Sequence, residues 1–290
     1  MSEINLKNAM NTISDVIQNR PRALREFDQI YMKAGDMMMQ SEFVARWAKN
    51  KHLCFIGDGD AISVCVALLD RRKDVPYGPS KITVLDFDER IVNAINTFAE
   101  KEKIGHLDAR LYNVLEKLPD DLDTYDCFYT NPPWGQYNDG TSVSAFVDRG
   151  IEAVSNIGEG LIVIGDDPEA LWTHNVLAKV QTRSLAKGFY VARMQPELHL
   201  YHLDDAPDLK SCNLLVRSLG SNKEVRESLP IDDPEVLHNF YGRLQVPRVR
   251  YVREVPRLNR DKATEYEYTL ELLEDEACRN FYAPDTAFYS

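Results

Sequence analysis

The sequence predicts an α/β fold in which helices cover both faces of a mostly parallel β-sheet. Three observations favour this class. Short apolar runs of strand length alternate with segments of helical period. A turn of glycine and aspartate follows the first run, and an aspartate ends the second. A proline-rich corner follows a later run. The 290 residues suit an α/β domain with a helical N-terminal lead and a C-terminal appendage.

The first elements are predicted in chain order. Residues 1–50 are interpreted as a helical lead or lid. A strand at 53–56 is followed by a glycine turn and a helix at 62–69. A second strand at 81–86 and a helix at 89–103 complete a βαβ unit.

The later elements continue the alternation. Strands are predicted at 109–114, 125–130 and 160–165, and helices at 142–155 and 168–186. Segments 189–194 and 211–218 are expected to close the sheet as an antiparallel edge. The prediction is therefore a Rossmann-like sheet of the class I methyltransferase type over residues 51–219, with an appendage over 220–290.

Composition and charge restrict the functional classes. A formal net charge of −12 at pH 7 argues against nucleic acid as a partner, because basic side chains neutralise phosphates in such complexes. The same charge favours a small cationic partner, and we expect a polyamine. Five scattered cysteines, a start without a signal-peptide pattern and the lack of a membrane-length apolar run predict a reduced, cytoplasmic protein without membrane contact. A homodimer is left open.

The turn Gly57-Asp58-Gly59 after the first strand is predicted to bind a cofactor. Glycines let a ligand approach the backbone, and the helix that follows offers its N-terminal amides. The acids would repel a pyrophosphate but suit a sulfonium cation with an amino-group tail. A purely structural turn remains an alternative, since no third glycine follows as in the dinucleotide fingerprint.

Two residues at later strand ends are further cofactor candidates. Asp86 ends the second strand, where doubly wound folds place an acid that binds ribose hydroxyls. Its alternative role is a helix cap, which Asp88 fits better. Asn113 ends the third strand, where an amide could pair with adenine, although an ordinary turn asparagine would look the same.

The string Asn131-Pro132-Pro133-Trp134 follows the fourth predicted strand and is the most specific motif in the chain. It resembles the [DN]PP[FYW] motif of class I transferases that alkylate nitrogen. The Asn131 side-chain oxygen and the Pro132 carbonyl can accept hydrogen bonds from a substrate NH group, which leaves the nitrogen lone pair aimed at an electrophilic carbon. Trp134 offers a face to a planar base or an ammonium chain. A proline-rich turn with a packed tryptophan is the structural alternative.

The flanks of these motifs extend the resemblance over residues 20–218. The sequence is similar to the catalytic domain of branched-chain polyamine synthases in Arg20-Pro21, Asp28-Gln29, the turn at 57–60, the proline motif, and segments 149–153 and 201–211. Members of that family transfer aminopropyl groups from decarboxylated S-adenosylmethionine to the internal nitrogen of spermidine. The resemblance implies that Asp58 and Asp60 lie near the cofactor tail and the polyamine. It also implies that Asn131 stands in the place of the nitrogen-activating residue.

Two departures from the family pattern bear on the reaction. The family turn is usually GDDD where this chain has Gly59, and its motif is usually DPPY where this chain has Asn131 and Trp134. Loss of an acid removes a proton acceptor and a charge for an ammonium substrate. Asparagine is the usual residue of amide and adenine N-methyltransferases, whose nucleophile needs orientation more than deprotonation.

Other polar residues are weaker candidates. Asp166 and Asp167 follow the fifth strand near the expected substrate mouth, where they could hold a cationic chain or cap the next helix. His199, His202 and the acids at 204 and 205 have a spacing that could suit a metal, but no metal is predicted.

Three functions fit these observations. The first is an aminopropyltransferase that uses decarboxylated S-adenosylmethionine and a polyamine. The second is an N-methyltransferase that uses S-adenosylmethionine on a base, an amide or a small amine. The third is a non-catalytic member that binds a polyamine or a partner protein. The candidate site comprises reaction residues Asn131, Pro132, Trp134 and Asp60, cofactor residues Gly57, Asp58, Gly59, Asp86 and Asn113, and substrate residues Asp166, Asp167 and Tyr137.

Overall fold

The computed structural model describes residues 5–203, 206–220, 228–242, 249–255 and 268–272. Within these ranges the strands are β1 His52–Ile56, β2 Lys81–Asp86, β3 Leu107–Leu111, β4 Cys127–Thr130, β5 Glu159–Gly165, β6 Phe189–Leu200, β7 Lys210–Ser218, β8 Val249–Glu254 and β9 Tyr268–Leu272. The helices are α1 Leu6–Asn19, α2 Ala34–Trp47, α3 Ile62–Arg71, α4 Glu89–Glu102, α5 Thr141–Ala153, α6 Leu171–Ala186 and α7 Pro234–Leu237, with a short 3₁₀ turn at Arg25–Phe27.

The central sheet has seven strands among the described residues, in the order β3-β2-β1-β4-β5-β7-β6. The first five strands are parallel to one another, and β7 runs antiparallel to both β5 and β6. Strands β1, β2 and β5 are buried along almost their whole length, as expected for strands covered by helices on both faces. The predicted α/β class and the antiparallel edge are confirmed.

The strand order places a binding crevice beside β1. The chain passes from β1 to β2 and β3 on one side and then returns to β4 on the other side. In doubly wound sheets, ligands bind outside the carboxyl ends of the strands at such a point of reversal. The turn after β1, the end of β2 and the segment after β4 therefore meet at one edge of the sheet.

The N-terminal helices α1 and α2 are packed into this domain. Ile13 and Val44 are fully buried and share one hydrophobic cluster with β1 and α3. Between α1 and α2 the chain crosses to the end of β6, where His202 N donates to Tyr31 O at 2.8 Å. The segment at 25–33 is thereby held against the crevice.

The described C-terminal residues also join the sheet domain. Val252 N in β8 donates to Phe87 O at 3.1 Å, just beyond β2. Phe240 and Tyr241 are buried in the hydrophobic cluster that includes α5. The division into segments 1–50, 51–219 and 220–290 stays a prediction. Described residues of the first and the last segment belong to the same hydrophobic clusters as residues of the sheet.

Several element boundaries differ from the prediction: β6 continues to Leu200 instead of ending at 194, and at two other boundaries side chains turn the backbone. Strand β3 ends at Leu111, since Asn113 Oδ1 accepts from Leu115 N at 2.9 Å and starts a turn. Helix α6 starts only at Leu171, because Asp167 Oδ1 accepts from Glu169 N at 2.9 Å and forms a turn first. None of the helices in the described ranges has the length and apolar character that a membrane span requires.

Candidate active site

A cavity of about 390 Å³ opens at the carboxyl ends of β1, β2 and β4. Its volume is typical of small-molecule sites, and it lies where the strand order places the crevice. The residues predicted from the sequence that line it are Gly57, Asp58, Gly59, Asp60, Asp86, Asn131, Pro132, Trp134 and Tyr137. The structure thus brings the glycine turn, the acid at the end of β2 and the proline motif together.

The turn after β1 requires glycine at one position. Gly57 has a φ of +74°, and its N–H donates to Leu85 O at 2.8 Å. A Cβ there would lie 3.2 Å from the Phe146 ring. At Gly59 the φ is not positive, and an added Cβ would meet only Gln29 Cγ at 4.0 Å. Position 59 therefore has room for a side chain, whereas position 57 does not.

We expect Gly59→Asp to fold normally and to bind spermidine several-fold more tightly, because it adds a carboxylate to a cavity whose lining includes Asp58, Asp60 and Asp86. The matched control, Gly57→Asp, should lose about 1–3 kcal/mol of unfolding free energy through backbone strain and overpacking against Phe146. Thermal unfolding and calorimetric titration with spermidine measure both effects. Equal destabilisation of the two variants would contradict this difference.

The Asp58 side chain supports the turn. Its carboxylate is buried, with Oδ1 accepting from Ile62 N at 2.9 Å and Oδ2 from Ser63 N at 3.1 Å. It therefore caps the start of α3. Burial raises the pKa of Asp58 well above its ordinary value, and hydrogen bonding from Ser63 opposes that shift.

Asp60 connects the turn to the proline motif. Its Oδ2 accepts from Asn131 Nδ2 at 2.7 Å, and its Oδ1 accepts from Met32 N at 2.8 Å. The Arg20 guanidinium lies 3.9 Å from Oδ1 and donates to the Asp60 carbonyl at 2.9 Å. Burial raises the pKa of Asp60, while the Met32 amide and Arg20 oppose that shift. Because Asp60 holds the Asn131 NH₂ group, the Asn131 oxygen is available to a ligand.

Asp86 lies at the end of β2 with its carboxylate against two backbone amides. Oδ2 accepts from Asp58 N at 2.8 Å, and Oδ1 accepts from Asp88 N at 2.9 Å. Burial, followed by the charge of Asp88, raises the pKa of Asp86 to about 7. The cap of α4 is Asp88, whose side chain accepts from Arg90 N. Asp86 is therefore free of the capping role that the sequence left open.

Aromatic rings form two walls of the cavity. Beside Asp86, the rings of Phe87 and Tyr241 are stacked with centroids 4.7 Å apart. Beside the proline motif, the Trp134 ring lies edge-on to Tyr201 at 5.3 Å and 6.4 Å from Trp172. The first wall offers an apolar face to a planar base, and the second offers π-faces to an alkylammonium chain.

Residues 8–276 match the family model described as the branched-chain polyamine synthase A C-terminal domain. The chain belongs to this family. It is 26% identical over 206 residues to the uncharacterised protein MJ0675 of Methanocaldococcus jannaschii, which is 71% of this chain and 46% of that protein. It is 26% identical over 153 residues to the N(4)-bis(aminopropyl)spermidine synthase of the same organism, which is 52% of this chain and 41% of that enzyme.

Solved structures support the fold. The branched-chain polyamine synthase C9 mutein from Thermus thermophilus, in complex with N4-aminopropylspermidine and 5′-methylthioadenosine, has a TM-score of 0.64 and 22% identity. The match covers 79% of this chain and 69% of that one. This chain spans less than half the length of the curated relatives described above. This chain and the Thermus thermophilus enzyme therefore share a fold.

Three predicted site residues of this family member do not line the cavity. Asn113 is fully buried; its Nδ2 donates to Val249 O at 3.1 Å and Arg250 O at 2.7 Å, so its amide holds β8 instead of a base. Asp166 Oδ2 accepts from Glu197 N at 3.0 Å. Asp167 accepts from the amides of residues 169 and 210. These three side chains bind backbone groups outside the cavity, so they are not part of the proposed site.

Asp28 lines the cavity, although it is not among the site residues predicted from the sequence. It follows the 3₁₀ turn with a φ of +56° and is half-buried at the cavity wall. Burial raises the pKa of its carboxyl to about 6. Next to it, Gln29 fixes the segment, because its Nε2 donates to Asp88 Oδ2 at 3.1 Å. The Asp28-Gln29 pair within the family resemblance was the available signal.

Acidic side chains outnumber basic ones in the lining of the cavity, within the described part of the chain. The carboxyls of Asp28, Asp58, Asp60 and Asp86 line it, together with one exposed guanidinium, Arg25. Such a balance favours a cationic ligand.

Among the described residues no cluster of His, Cys, Asp or Glu could hold a metal ion. Residues 204 and 205, which belong to the histidine-acid spacing noted in the sequence, lie outside the described residues.

Proposed function

We propose that this chain transfers an aminopropyl group from decarboxylated S-adenosylmethionine to a nitrogen of a polyamine. The observation that carries the proposal is the acidic lining of the cavity, in which Asp28, Asp60 and Asp86 lie together with the Asn131 amide that Asp60 holds at 2.7 Å. The ligands of the Thermus thermophilus structure support the same substrate class. The cytoplasmic location and the homodimer stay predictions.

The cavity fits an adenosyl sulfonium compound. The Asp86 carboxylate would accept hydrogen bonds from ribose hydroxyls, and Phe87 with Tyr241 would contact the adenine ring. Asp28 would bind a terminal ammonium group, since its raised pKa reports a carboxylate that an opposite charge would stabilise. When bound, the sulfonium would supply an electrophilic carbon.

The residues of the proline motif would orient the nucleophile. The Asn131 oxygen would accept the single N–H of an uncharged internal amine and aim its lone pair, and the Pro132 carbonyl would accept the second N–H where the nucleophile is a terminal amine. That nitrogen forms the new N–C bond as the C–S bond breaks, and the electron pair of the C–S bond goes to sulfur. An amide takes no proton at neutral pH, so the amine must reach Asn131 uncharged. The extra proton on the product nitrogen then passes to solvent.

This proton balance predicts a distinctive pH profile. In the wild type, kcat/KM should rise with pH towards the amine pKa, about 10 for an isolated alkylamine. Asn131→Asp supplies a carboxylate that can take the proton, so the rising part of the profile should move to lower pH, with a several-fold higher rate at pH 7. Initial rates of 5′-methylthioadenosine release at different pH values test this. Identical profiles for the two proteins would contradict it.

A second candidate is an N-methyltransferase that uses intact S-adenosylmethionine. The observation that favours it is Asn131 itself, an oriented amide at a position where the family pattern has an acid. The two cofactors distinguish the candidates, because intact S-adenosylmethionine carries a carboxylate that Asp28 and the other cavity acids would repel.

The decisive experiment supplies spermidine with each cofactor in turn. The proposal expects 5′-methylthioadenosine and an aminopropylated polyamine in equal amounts from decarboxylated S-adenosylmethionine, and no S-adenosylhomocysteine from the intact cofactor. The reverse pattern would assign methyl transfer. Binding of spermidine without either product would assign a binding protein and overturn the proposal.

A further inference from the structure

Arg20 caps the end of α1, and its guanidinium group reaches Asp60 from outside the cavity. Arg20 Nη1 donates to the Asp60 carbonyl at 2.9 Å and lies 3.9 Å from Asp60 Oδ1. Arg20 is not among the residues that line the cavity, and its side chain is only 7% exposed. Its positive charge therefore acts on Asp60 through the protein interior, where water screens it little.

Neighbouring groups fix the Arg20 side chain in this position. The guanidinium carbon lies 3.7 Å from the centroid of the Tyr31 ring, which is a cation–π contact. The Tyr31 hydroxyl donates to Pro21 O at 2.5 Å and so holds the ring. Arg20 Nη1 also lies 3.3 Å from the sulfur of Met37, which is fully buried. The charge is thus presented to Asp60 in one geometry.

The contacts of Asp60 determine where a proton would bind to it. Oδ1 accepts from Met32 N at 2.8 Å and lies near Arg20, so it remains an acceptor. A proton would therefore bind to Oδ2, which accepts from Asn131 Nδ2 at 2.7 Å when Asp60 is ionised. Two donors would then face each other. The Asn131 amide would relieve this conflict by turning over, so that its oxygen accepts from Asp60 and its NH₂ group faces the substrate.

A donor in that position would oppose the proposed reaction. The uncharged substrate nitrogen has an N–H to donate and a lone pair that must stay free to attack the electrophilic carbon. The NH₂ group of a reversed Asn131 would compete for that lone pair. Asp60 must therefore be ionised for the Asn131 oxygen to face the substrate.

Arg20 is the group best placed to keep Asp60 ionised. Asp60 is only 5% exposed, and burial raises the pKa of its carboxyl, whereas the Met32 amide and then the Arg20 charge oppose that shift. Among the other described titratable groups that face Asp60, His202 is exposed to solvent, and Asp58 is an acid whose charge disfavours ionisation of Asp60. The rest are neutral at pH 7 because burial raises their pKa values: Tyr31, Tyr129, Tyr201 and Cys65.

We infer that Arg20 is a positioning residue whose charge keeps Asp60 ionised and thereby keeps the Asn131 oxygen turned towards the substrate nitrogen. The inference rests on the proposed function and adds a residue outside the cavity to it. Because Arg20 does not line the cavity, its effect on the reaction passes through Asp60.

Two substitutions separate the charge of Arg20 from its packing. Arg20→Gln removes the charge, and an arginine this close lowers the pKa of a carboxyl by about 1–3. The ratio of wild-type to variant kcat/KM should therefore be near one at alkaline pH and increase as the pH falls, to a limit of about thirtyfold. Arg20→Lys keeps the charge and should stay within about threefold of the wild type at every pH. Initial rates of 5′-methylthioadenosine release give both ratios.

The pH dependence distinguishes this role from a purely structural one. A packing defect would give the same ratio at every pH and would overturn the inference. So would a loss in Arg20→Lys as large as that in Arg20→Gln. Asp28 and Asp86 titrate in all the proteins compared, so their effects cancel in the ratio. The control of equal charge change is Arg46→Gln, because Arg46 is exposed on α2 in an ion pair with Glu42, and its ratio should be about one.

A second measurement does not depend on turnover. Carbon-13 NMR of protein labelled at aspartate, with the Asp60 signal assigned by its loss in Asp60→Asn, should find the wild-type carboxyl ionised at pH 7. Its titration midpoint should be about 1–2 pH units higher in Arg20→Gln. A wild-type Asp60 that is protonated at pH 7, or equal midpoints in the two proteins, would overturn the inference even in an active enzyme. If the wild type transfers no aminopropyl group, the expected midpoints would still support the action of Arg20 on Asp60, and the failure would belong to the proposed function.

Discussion

Asn131→Ala is expected to abolish most turnover while leaving nucleoside binding nearly unchanged. The variant loses the oxygen that orients the substrate nitrogen, and loss of one such group lowers kcat/KM by about 10²–10³-fold. Asp86 and the Phe87–Tyr241 stack keep their positions, because Asn131 hydrogen-bonds to Asp60 and not to them. Release of 5′-methylthioadenosine measures turnover, and titration with that nucleoside measures binding.

The control for this variant is Asn93→Ala. Asn93 is exposed on α4 and donates to Glu254 at 2.9 Å, far in sequence from the proline motif. It should keep both turnover and affinity. If Asn131→Ala lost nucleoside affinity as fully as turnover, the separation between a reaction end and a cofactor end of the cavity would be wrong.

Replacement of Asp86 is expected to have the opposite result, with nucleoside affinity reduced at least about 100-fold through loss of charge-assisted hydrogen bonds to ribose. Asp86→Asn is the better variant, because its one oxygen keeps an acceptor for one of the amides of Asp58 and Asp88, whereas Asp86→Ala removes the acceptor from both. Titration with 5′-methylthioadenosine measures the loss. The exposed Asp123→Asn serves as the control of equal charge change.

The pH dependence of binding identifies the same carboxyl. Burial raises the pKa of Asp86 to about 7, so its ionised fraction falls as the pH drops through that value. Affinity for 5′-methylthioadenosine should therefore be highest well above pH 7 and decline as the pH falls through 7. Asp86→Asn should remove that decline. A wild-type affinity that increases towards low pH would contradict the assignment.

The meeting of the glycine turn, Asp86 and Asn131 could be predicted from the sequence for a simple geometric reason. Parallel strands of a doubly wound sheet end at the same edge, so residues that follow β1, β2 and β4 must lie together. The alternation of apolar runs with helical segments was enough to assign those strands.

Side-chain direction could not be predicted in the same way. Asp166 follows β5 as Asn131 follows β4, but its carboxylate turns to Glu197 N. That amide comes within reach because β6 has an irregularity between Gln195 and His199, which no pattern in the chain reveals. Asn113 likewise follows a strand that leads to the cavity edge of the sheet. Its side-chain NH₂ group donates instead to the backbone of β8, more than a hundred residues later in the chain.

The remaining site residues depend on contacts between distant segments. Asp28 lies in the N-terminal segment and Tyr201 at the end of β6. They come together because residues 31–33 pair with the chain around Tyr201, including a backbone bridge from Met32. Hydrophobic periodicity predicts helices on either side of that segment, but it does not predict where the connection crosses.

The most direct test of the central claim is a crystal structure of the wild type with 5′-methylthioadenosine and spermidine. The measured quantity is the distance from Asn131 Oδ1 to the internal nitrogen of spermidine. We expect about 3 Å. The ribose of the nucleoside should lie at Asp86, and its sulfur should face the internal nitrogen of spermidine. A polyamine bound outside this cavity, or one whose internal nitrogen lies beyond hydrogen-bonding distance of Asn131, would contradict the account.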